Sequence, residues 1–108
     1  MASAKEIFEV KIPEKLKTNA AKIGSINAIY EFNITGDGGG VWSIDLTSDP
    51  KKVTAGSTGN AKCTVTVSSN DFSDIIDGKL NPQMAFMTGK LKVAGDMGLA
   101  LKLGGILG

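Results

Sequence analysis

The alternation of apolar and polar residues that begins at Ile26 commits this chain to a sheet with one covered face. Ile26, Ala28, Tyr30, Phe32 and Ile34 alternate with Asn27, Ile29, Glu31, Asn33 and Thr35, the period of a half-buried strand. The run Gly36-Asp37-Gly38-Gly39-Gly40 reverses the chain, after which Trp42, Ile44 and Leu46 alternate with Val41, Ser43, Asp45 and Thr47. Two such runs about a glycine turn predict an antiparallel hairpin. Ser48-Asp49-Pro50 is a further turn before a short edge strand over residues 52–55. Residues 61–68 alternate again, with Ala61, Cys63, Val65 and Val67 inward, and their β-branched content favours a strand. Residues 90–94 form a fifth strand with Leu91 and Val93 inward.

Helical signals fill the intervals. Ser3 and Glu6 have capping-box spacing ahead of Ile7, Phe8 and Val10. Pro13 suits the first turn of a second helix that turns Leu16, Ala20 and Ile23 inward and stops at Gly24. Ser69 or Asn70 caps a helix with the stripe Phe72, Ile75 and Ile76, ended by Gly78. Asn81-Pro82 starts another, carrying Met84, Ala85 and Met87 as far as Gly89. Asp96 caps a last helix with Met97, Leu99, Leu101, Leu103, Ile106 and Leu107, broken by Gly104-Gly105. The expected architecture is α+β: one domain over residues 1–108, a single five-stranded sheet with helices packed on one face.

Charge and composition narrow the partners. Twelve basic residues face eleven acidic ones, and every basic residue is lysine. Without arginine there is no fork for bidentate recognition of phosphate or guanine, and no basic block tracks a backbone, so nucleic acid is not an expected partner. Lysines gather loosely near both ends (Lys11, Lys15, Lys17, Lys22 and Lys90, Lys92, Lys102). That pattern reads as a solvated face, with weak attraction to an anionic membrane as the alternative. One cysteine, Cys63, allows no internal disulfide and fits a reducing compartment. No apolar run approaches the ~20 residues that span a bilayer, and the first residues lack the apolar centre of a secretory signal. A soluble intracellular chain is expected.

Catalytic readings fail one by one. There is no histidine, which removes the commonest general base, most metal constellations and the usual nucleophile triads. Cys63 takes an inward strand position and reads as an inert buried thiol. Asp71, Asp74 and Asp77 recur on one helix, but Asp71 and Asp74 suit its N-terminal dipole and solvent better than a metal. The glycine loop is followed by a strand rather than a helix N-terminus and lacks Gly-Lys-Ser/Thr, which excludes a phosphate loop. No cofactor or metal is expected.

Apolar residues concentrate at the end of the chain: Met84, Phe86, Met87, Leu91, Val93, Met97, Leu99, Leu101, Leu103, Ile106 and Leu107. Filling the core of a small domain would account for the count. Methionine, flexible and polarizable, also suits a surface that adapts to a guest. The last helix decides between these readings, because it is apolar on two sides. Met97 and Leu101 share one face and Leu99, Leu103, Ile106 and Leu107 another, more than a one-sided sheet covers. A partner, a membrane or a bound apolar molecule must take the surplus.

Several ordered blocks then resemble the sterol carrier protein-2 (SCP2) family: Asp77-Gly78-Lys79-Leu80-Asn81-Pro82-Gln83, Ala85-Phe86-Met87-Thr88-Gly89-Lys90-Leu91-Lys92-Val93, Gly95-Asp96-Met97-Gly98-Leu99 and Lys102-Leu103. Phe32, the glycine loop, Trp42-Ser43-Ile44-Asp45-Leu46, Val65-Thr66-Val67 and Asp71-Phe72 fit the same pattern upstream. The resemblance spans nearly the whole chain. It implies a mostly antiparallel sheet of order 3-2-1-4-5 and an apolar tunnel between sheet and helices. It further implies non-enzymatic binding and transfer of fatty acids, fatty acyl-CoAs, sterols or phospholipids.

Lining positions carried over by the resemblance are Trp42, Ile44, Phe72, Ile76, Met84, Met87, Met97, Leu101, Leu103 and Ile106. Gln83 matches a family glutamine near the cavity, or is a solvated helix-start residue. Relatives often end in a Ser/Ala-Lys-Leu-type peroxisomal signal, whereas this chain ends Gly104-Gly105-Ile106-Leu107-Gly108, so a cytoplasmic or a peroxisomal location is expected. Some relatives carry a polar residue where Leu101 stands, which implies a greasier mouth here. The expected partners are a lipid ligand (fatty acid, acyl-CoA or sterol) and transiently a membrane, with the chain a monomer. The alternative is an accessory or interaction domain of a larger peroxisomal or lipid-metabolising enzyme.

Overall fold

A computed structural model describes residues 4–23, 26–36, 38–47 and 52–107. The chain opens with α1 (Ala4–Glu6), a π-helical turn (Ile7–Lys11), α2 (Ile12–Thr18) and α3 (Ala20–Ile23). These are followed by β1 (Ile29–Thr35), β2 (Gly40–Asp45), β3 (Lys52–Ala55) and β4 (Cys63–Ser68). Then come α4 (Ser69–Ile76), α5 (Pro82–Met87), β5 (Leu91–Gly95), α6 (Met97–Ala100) and α7 (Leu103–Leu107). Ser3, Gly24, Asp37 and the turn at residues 48–50 lie outside the described residues.

The five strands form one sheet in the order β3-β2-β1-β4-β5, as the resemblance implied. All pairs are antiparallel except β1 with β4, where Phe32 lies beside Val65 in a parallel register. The hairpin closes through Gly36 at φ 88° and Gly39, where a Cβ would stand 2.2 Å from the carbonyl oxygen of Ile34. Only glycine tolerates both conditions.

The period-two pattern sorts the two faces as expected. Tyr30, Phe32, Ile34, Ile44, Leu46, Cys63, Val65, Val67 and Leu91 are buried on the inner face. Helical side chains cover them: Phe8, Ile12 and Leu16 from the first helical run, Phe72, Ile75 and Ile76 from α4, and Leu103, Ile106 and Leu107 from α7. Phe8 holds the centre, stacked at 5.2 Å on both Trp42 and Phe72 and tilted against Phe32 at 5.5 Å. The Lys11 ammonium reaches Asp77 at 3.3 Å and ties the first helices to α4.

Three local expectations are corrected. The cap of α4 is Ser68, whose Oγ accepts the Asp71 N–H at 3.2 Å, while Ser69 is already helical. The helix begun near Pro13 stops at Asn19 (φ −99°, ψ 19°), so α3 restarts out of phase and Ala20 is exposed. The terminal helix breaks at Leu101-Lys102 instead of at Gly104-Gly105, which sit inside α7. That break rotates the second half, so Leu103, Ile106 and Leu107 all enter the core. Among the described residues no helix is long and apolar enough to cross a membrane.

Candidate functional site

The resemblance implied an apolar tunnel between sheet and helices. Between sheet and helices the Phe8 ring stacks face to face on Trp42 and on Phe72. An open groove of about 220 Å³ lies at the C-terminal edge, between α5, β5 and α6.

Local signals build each wall. Asn81 starts α5, its Oδ1 accepting the N–H groups of Gln83 at 2.8 Å and Met84 at 3.4 Å, and Pro82 follows at the first helical position. The helix ends where Gly89 takes φ 81° and Lys90 N–H bonds the Ala85 carbonyl at 2.9 Å, a glycine-stopped turn that feeds β5. The first wall is therefore Asn81, Pro82, Gln83 and Phe86. Leu91 and Val93, successive inward residues of β5, supply the sheet side.

Gly95 then turns the chain sharply. Its φ is 103°, and a Cβ there would stand 2.4 Å from the Lys62 carbonyl oxygen. Asp96 N–H bonds that same oxygen at 2.9 Å, and the Asp96 carboxylate accepts Gly98 N–H at 2.8 Å and Leu99 N–H at 3.3 Å. This cap launches α6, which brings Met97, Ala100 and Leu101 to the opposite wall, while Leu103 joins them from α7. Among the described residues one side-chain hydrogen bond joins α6 to the sheet: the Tyr30 hydroxyl donates to the Leu99 carbonyl at 2.6 Å.

Of the residues expected at a site, the groove gathers Gln83, Met97, Leu101 and Leu103. Ile44, Phe72 and Ile106 are fully buried in the core, and Trp42 packs half-buried on Phe8. Ile76 is buried and borders a second, more polar hollow beside Lys11, Glu14 and Lys15. Met84 and Met87 are exposed on the outside of α5, 54% and 73% accessible. Reasoning from sequence missed Phe86, Leu91, Val93, Ala100, Asn81 and Pro82 as lining residues. The signal for three of them was present: Phe86 stands one turn from Gln83, and Leu91 and Val93 share the inward face of β5.

The chemistry of the site is that of a solvent for hydrocarbon. No charged side chain lines the groove, and the Gln83 carboxamide makes no hydrogen bond among the described residues. The two titratable groups beneath α6 are held protonated. Burial pushes the Cys63 thiol up to about 11, with the Asp96 carboxylate adding to the effect. Burial likewise raises the Tyr30 hydroxyl above its usual range, helped by Cys63 and Asp96. Among the described residues no three His, Cys, Asp or Glu side chains cluster to hold a metal.

Comparison with known proteins agrees with this architecture. The chain is 45% identical over 91 residues to peroxisomal multifunctional enzyme A of Dictyostelium discoideum, covering 82% of this chain and 20% of that one. It spans about a fifth of the length of the curated relatives it matches. Sterol carrier protein 2 from Yarrowia lipolytica, in its apo form, superposes with a TM-score of 0.75 at 38% identity, covering 94% of this chain and 86% of that one. Palmitated SCP2L2 from Aedes aegypti superposes at 0.78 with 26% identity, covering 98% and 95%. The pattern that defines the SCP-2 sterol transfer family matches residues 9–108, and the chain belongs to that family.

Proposed function

We propose that the chain binds the hydrocarbon part of a lipid in the groove between α5, β5 and α6 and carries it without chemical change. The observation that carries this reading is the lining: Phe86, Leu91, Val93, Met97, Leu101 and Leu103 surround the open volume, with Asn81 and Gln83 as its polar side chains. Membership of a sterol transfer family and the likeness to a palmitated relative support lipid as the ligand class. Fatty acid, fatty acyl-CoA, sterol and phospholipid are the candidate ligands. The protonated Tyr30 and Cys63 and the absence of histidine support binding without catalysis. In this reading the chain works as one lipid-binding domain and as a monomer.

The groove's 220 Å³ falls short of the ~300–1,000 Å³ usual for small-molecule sites. A long acyl chain therefore takes its place by moving α6 outward, and flexible Met97 on that wall eases the fit. Titrating delipidated protein with a fluorescent fatty-acid analogue should give saturable binding at micromolar concentration or below. A flat titration, with native mass spectrometry finding no copurified lipid, would overturn the reading.

A second reading has its own observation, since the matched segment is only about a fifth of the length of the relatives. In it the chain is the lipid-presenting module of a larger, lipid-metabolising and in one relative peroxisomal enzyme. Sedimentation with and without fatty acid separates the two. Ligand-independent self-association of the isolated chain favours the accessory module, and a monomer in both conditions favours the carrier.

A further inference from the structure

On the inner face of β1 stand Tyr30, Phe32 and Ile34, all buried. Of the three only Tyr30 carries a polar atom. A phenylalanine would fill the same space, and a hydroxyl buried among apolar groups costs stability unless it is bonded. The Tyr30 hydroxyl is bonded to the Leu99 carbonyl at 2.6 Å, 69 residues further along the chain. That carbonyl is open to it because α6 ends there. At the break of Leu101-Lys102 the last carbonyls of α6 lack continuing helical partners. The Leu99 carbonyl accepts the Lys102 N–H at 3.1 Å and, besides it, the Tyr30 hydroxyl.

This bond lies where it controls the groove. α6 runs between two fixed ends. Before it, Asp96 N–H holds the Lys62 carbonyl at 2.9 Å, and after it Leu103, Ile106 and Leu107 are buried in the core. In between, Met97, Ala100 and Leu101 form one wall of the groove, and no α6 residue is fully buried. The size of the groove gives the position of that wall a consequence. A methylene fills about the volume of one water molecule in its liquid, ~30 Å³, so about 220 Å³ takes about seven of them. An eight-carbon fatty acid fits with the wall in place, and a sixteen-carbon one needs the wall moved.

We infer that the Tyr30 hydroxyl is a latch that sets the acyl-chain length this groove accepts. Short chains enter with the latch closed, and long chains bind only where it has opened. The inference rests on the reading of the groove as a lipid site and adds a selectivity determinant to it. Tyr30 does not line the groove; it acts through Leu99, as a positioning residue. When the binding-competent form is a minor fraction of the protein, affinity falls in proportion to that fraction. The latch therefore weakens long-chain binding and leaves short-chain binding untouched.

Tyr30→Phe keeps the ring and removes the hydroxyl. The net worth of one hydrogen bond corresponds to about fivefold in an equilibrium. In calorimetric titrations of lipid-free protein, the variant should bind a sixteen-carbon fatty acid about fivefold more tightly than wild type and an eight-carbon one within about twofold. Ser43→Ala is the control. It removes a comparable bond, from the Ser43 hydroxyl to the Gly56 carbonyl at 2.7 Å, and neither residue lines the groove; the ratio of the two affinities should stay within about twofold. Amide exchange of Ala100 and Leu101 without lipid should quicken about fivefold in Tyr30→Phe and stay unchanged in Ser43→Ala. Tyr30 is the only tyrosine of the chain, so an isotope label on its hydroxyl-bearing carbon gives a single NMR signal in wild type. The long acid should move that signal and the short one should leave it in place. An unchanged affinity ratio in Tyr30→Phe, an equal change in Ser43→Ala, unaltered exchange in α6, or a tyrosine signal blind to the long acid would each overturn the inference. Flat titrations with both acids refute the lipid site itself, whereas binding of both with an unchanged ratio refutes the latch alone.

Discussion

Leu101→Asp tests the groove more cleanly than any other substitution, because Leu101 lines the mouth while remaining 71% exposed. Truncating a buried lining residue such as Leu103 would confound binding with a core loss of ~2–5 kcal/mol. At position 101 the fold has little to lose, and an exposed substitution of this kind stays within ~0.5 kcal/mol. The ligand loses much more. A carboxylate on the rim holds its water, and an acyl chain lying against it must leave about three methylenes wet. At ~0.8 kcal/mol per buried methylene that amounts to ~2.4 kcal/mol, or roughly 50-fold in affinity. The assay is titration of delipidated protein with a fluorescent fatty-acid analogue, with circular dichroism to confirm the fold. Met87→Asp is the matched control: equally exposed, equally apolar in the parent, and outside the groove. A folded Leu101→Asp variant that binds within twofold of wild type would refute the groove assignment. An equal loss in Met87→Asp would show that any carboxylate near this end suffices.

Two further perturbations probe the frame under α6. Folding holds the Cys63 thiol at about 11 against an ordinary 9.0, so between those values the unfolded chain has lost a proton that the native chain keeps. Stability is therefore full below pH 9 and falls as pH rises toward 11, by an order of 2–3 kcal/mol, with Tyr30 acting in the same direction; urea midpoints across this range should show the loss, and a Cys63→Ala chain with an undiminished slope above pH 9 would contradict it. Gly95→Ala forces a side chain into φ 103° and against the Lys62 carbonyl, costing at least ~2 kcal/mol and lowering Tm by roughly 10 °C; an unchanged melting temperature would show that the turn into α6 is not constrained as described.

The inner face of the sheet was legible residue by residue, because Tyr30, Phe32, Ile34, Ile44, Val65 and Leu91 mark it by simple alternation, a local signal. The caps at Asn81 and Asp96 were legible for the same reason, since a capping side chain and its N–H partners are two or three residues apart. The adjacency of β1 and β4 carries no local mark and came only through the family resemblance, and that this pair runs parallel was not read from the sequence. The Phe8-Trp42-Phe72 stack joins three segments distant in sequence, and no periodicity announces it. For that reason Trp42 and Phe72, expected at the ligand, were not read as partners of Phe8. The terminal helix misled in an instructive way. Its periodicity shows too much apolar surface for one helix, and the chain resolves the conflict by breaking at Leu101-Lys102, so that burial of Leu103, Ile106 and Leu107 overrides continuity.

In the proposed reading, that break also gives a groove of about 220 Å³ a way to accommodate a longer guest. α7 is anchored by three buried side chains, whereas none of the α6 residues is buried. Segments with little buried apolar surface are the ones that open locally at low cost. α6 is held by the part-buried Leu99 and Ala100 against the core and by the Tyr30 hydroxyl on the Leu99 carbonyl, a bond worth a net ~0.5–1.5 kcal/mol. Burying two methylenes of an acyl chain contributes ~1.6 kcal/mol, enough to offset the loss of that bond. The apolar stretch from Met84 to Leu107 thus divides its labour. Its last turn places Leu103, Ile106 and Leu107 in the core, and the short helix before it, only partly buried, is the wall that a lipid displaces in the proposed reading.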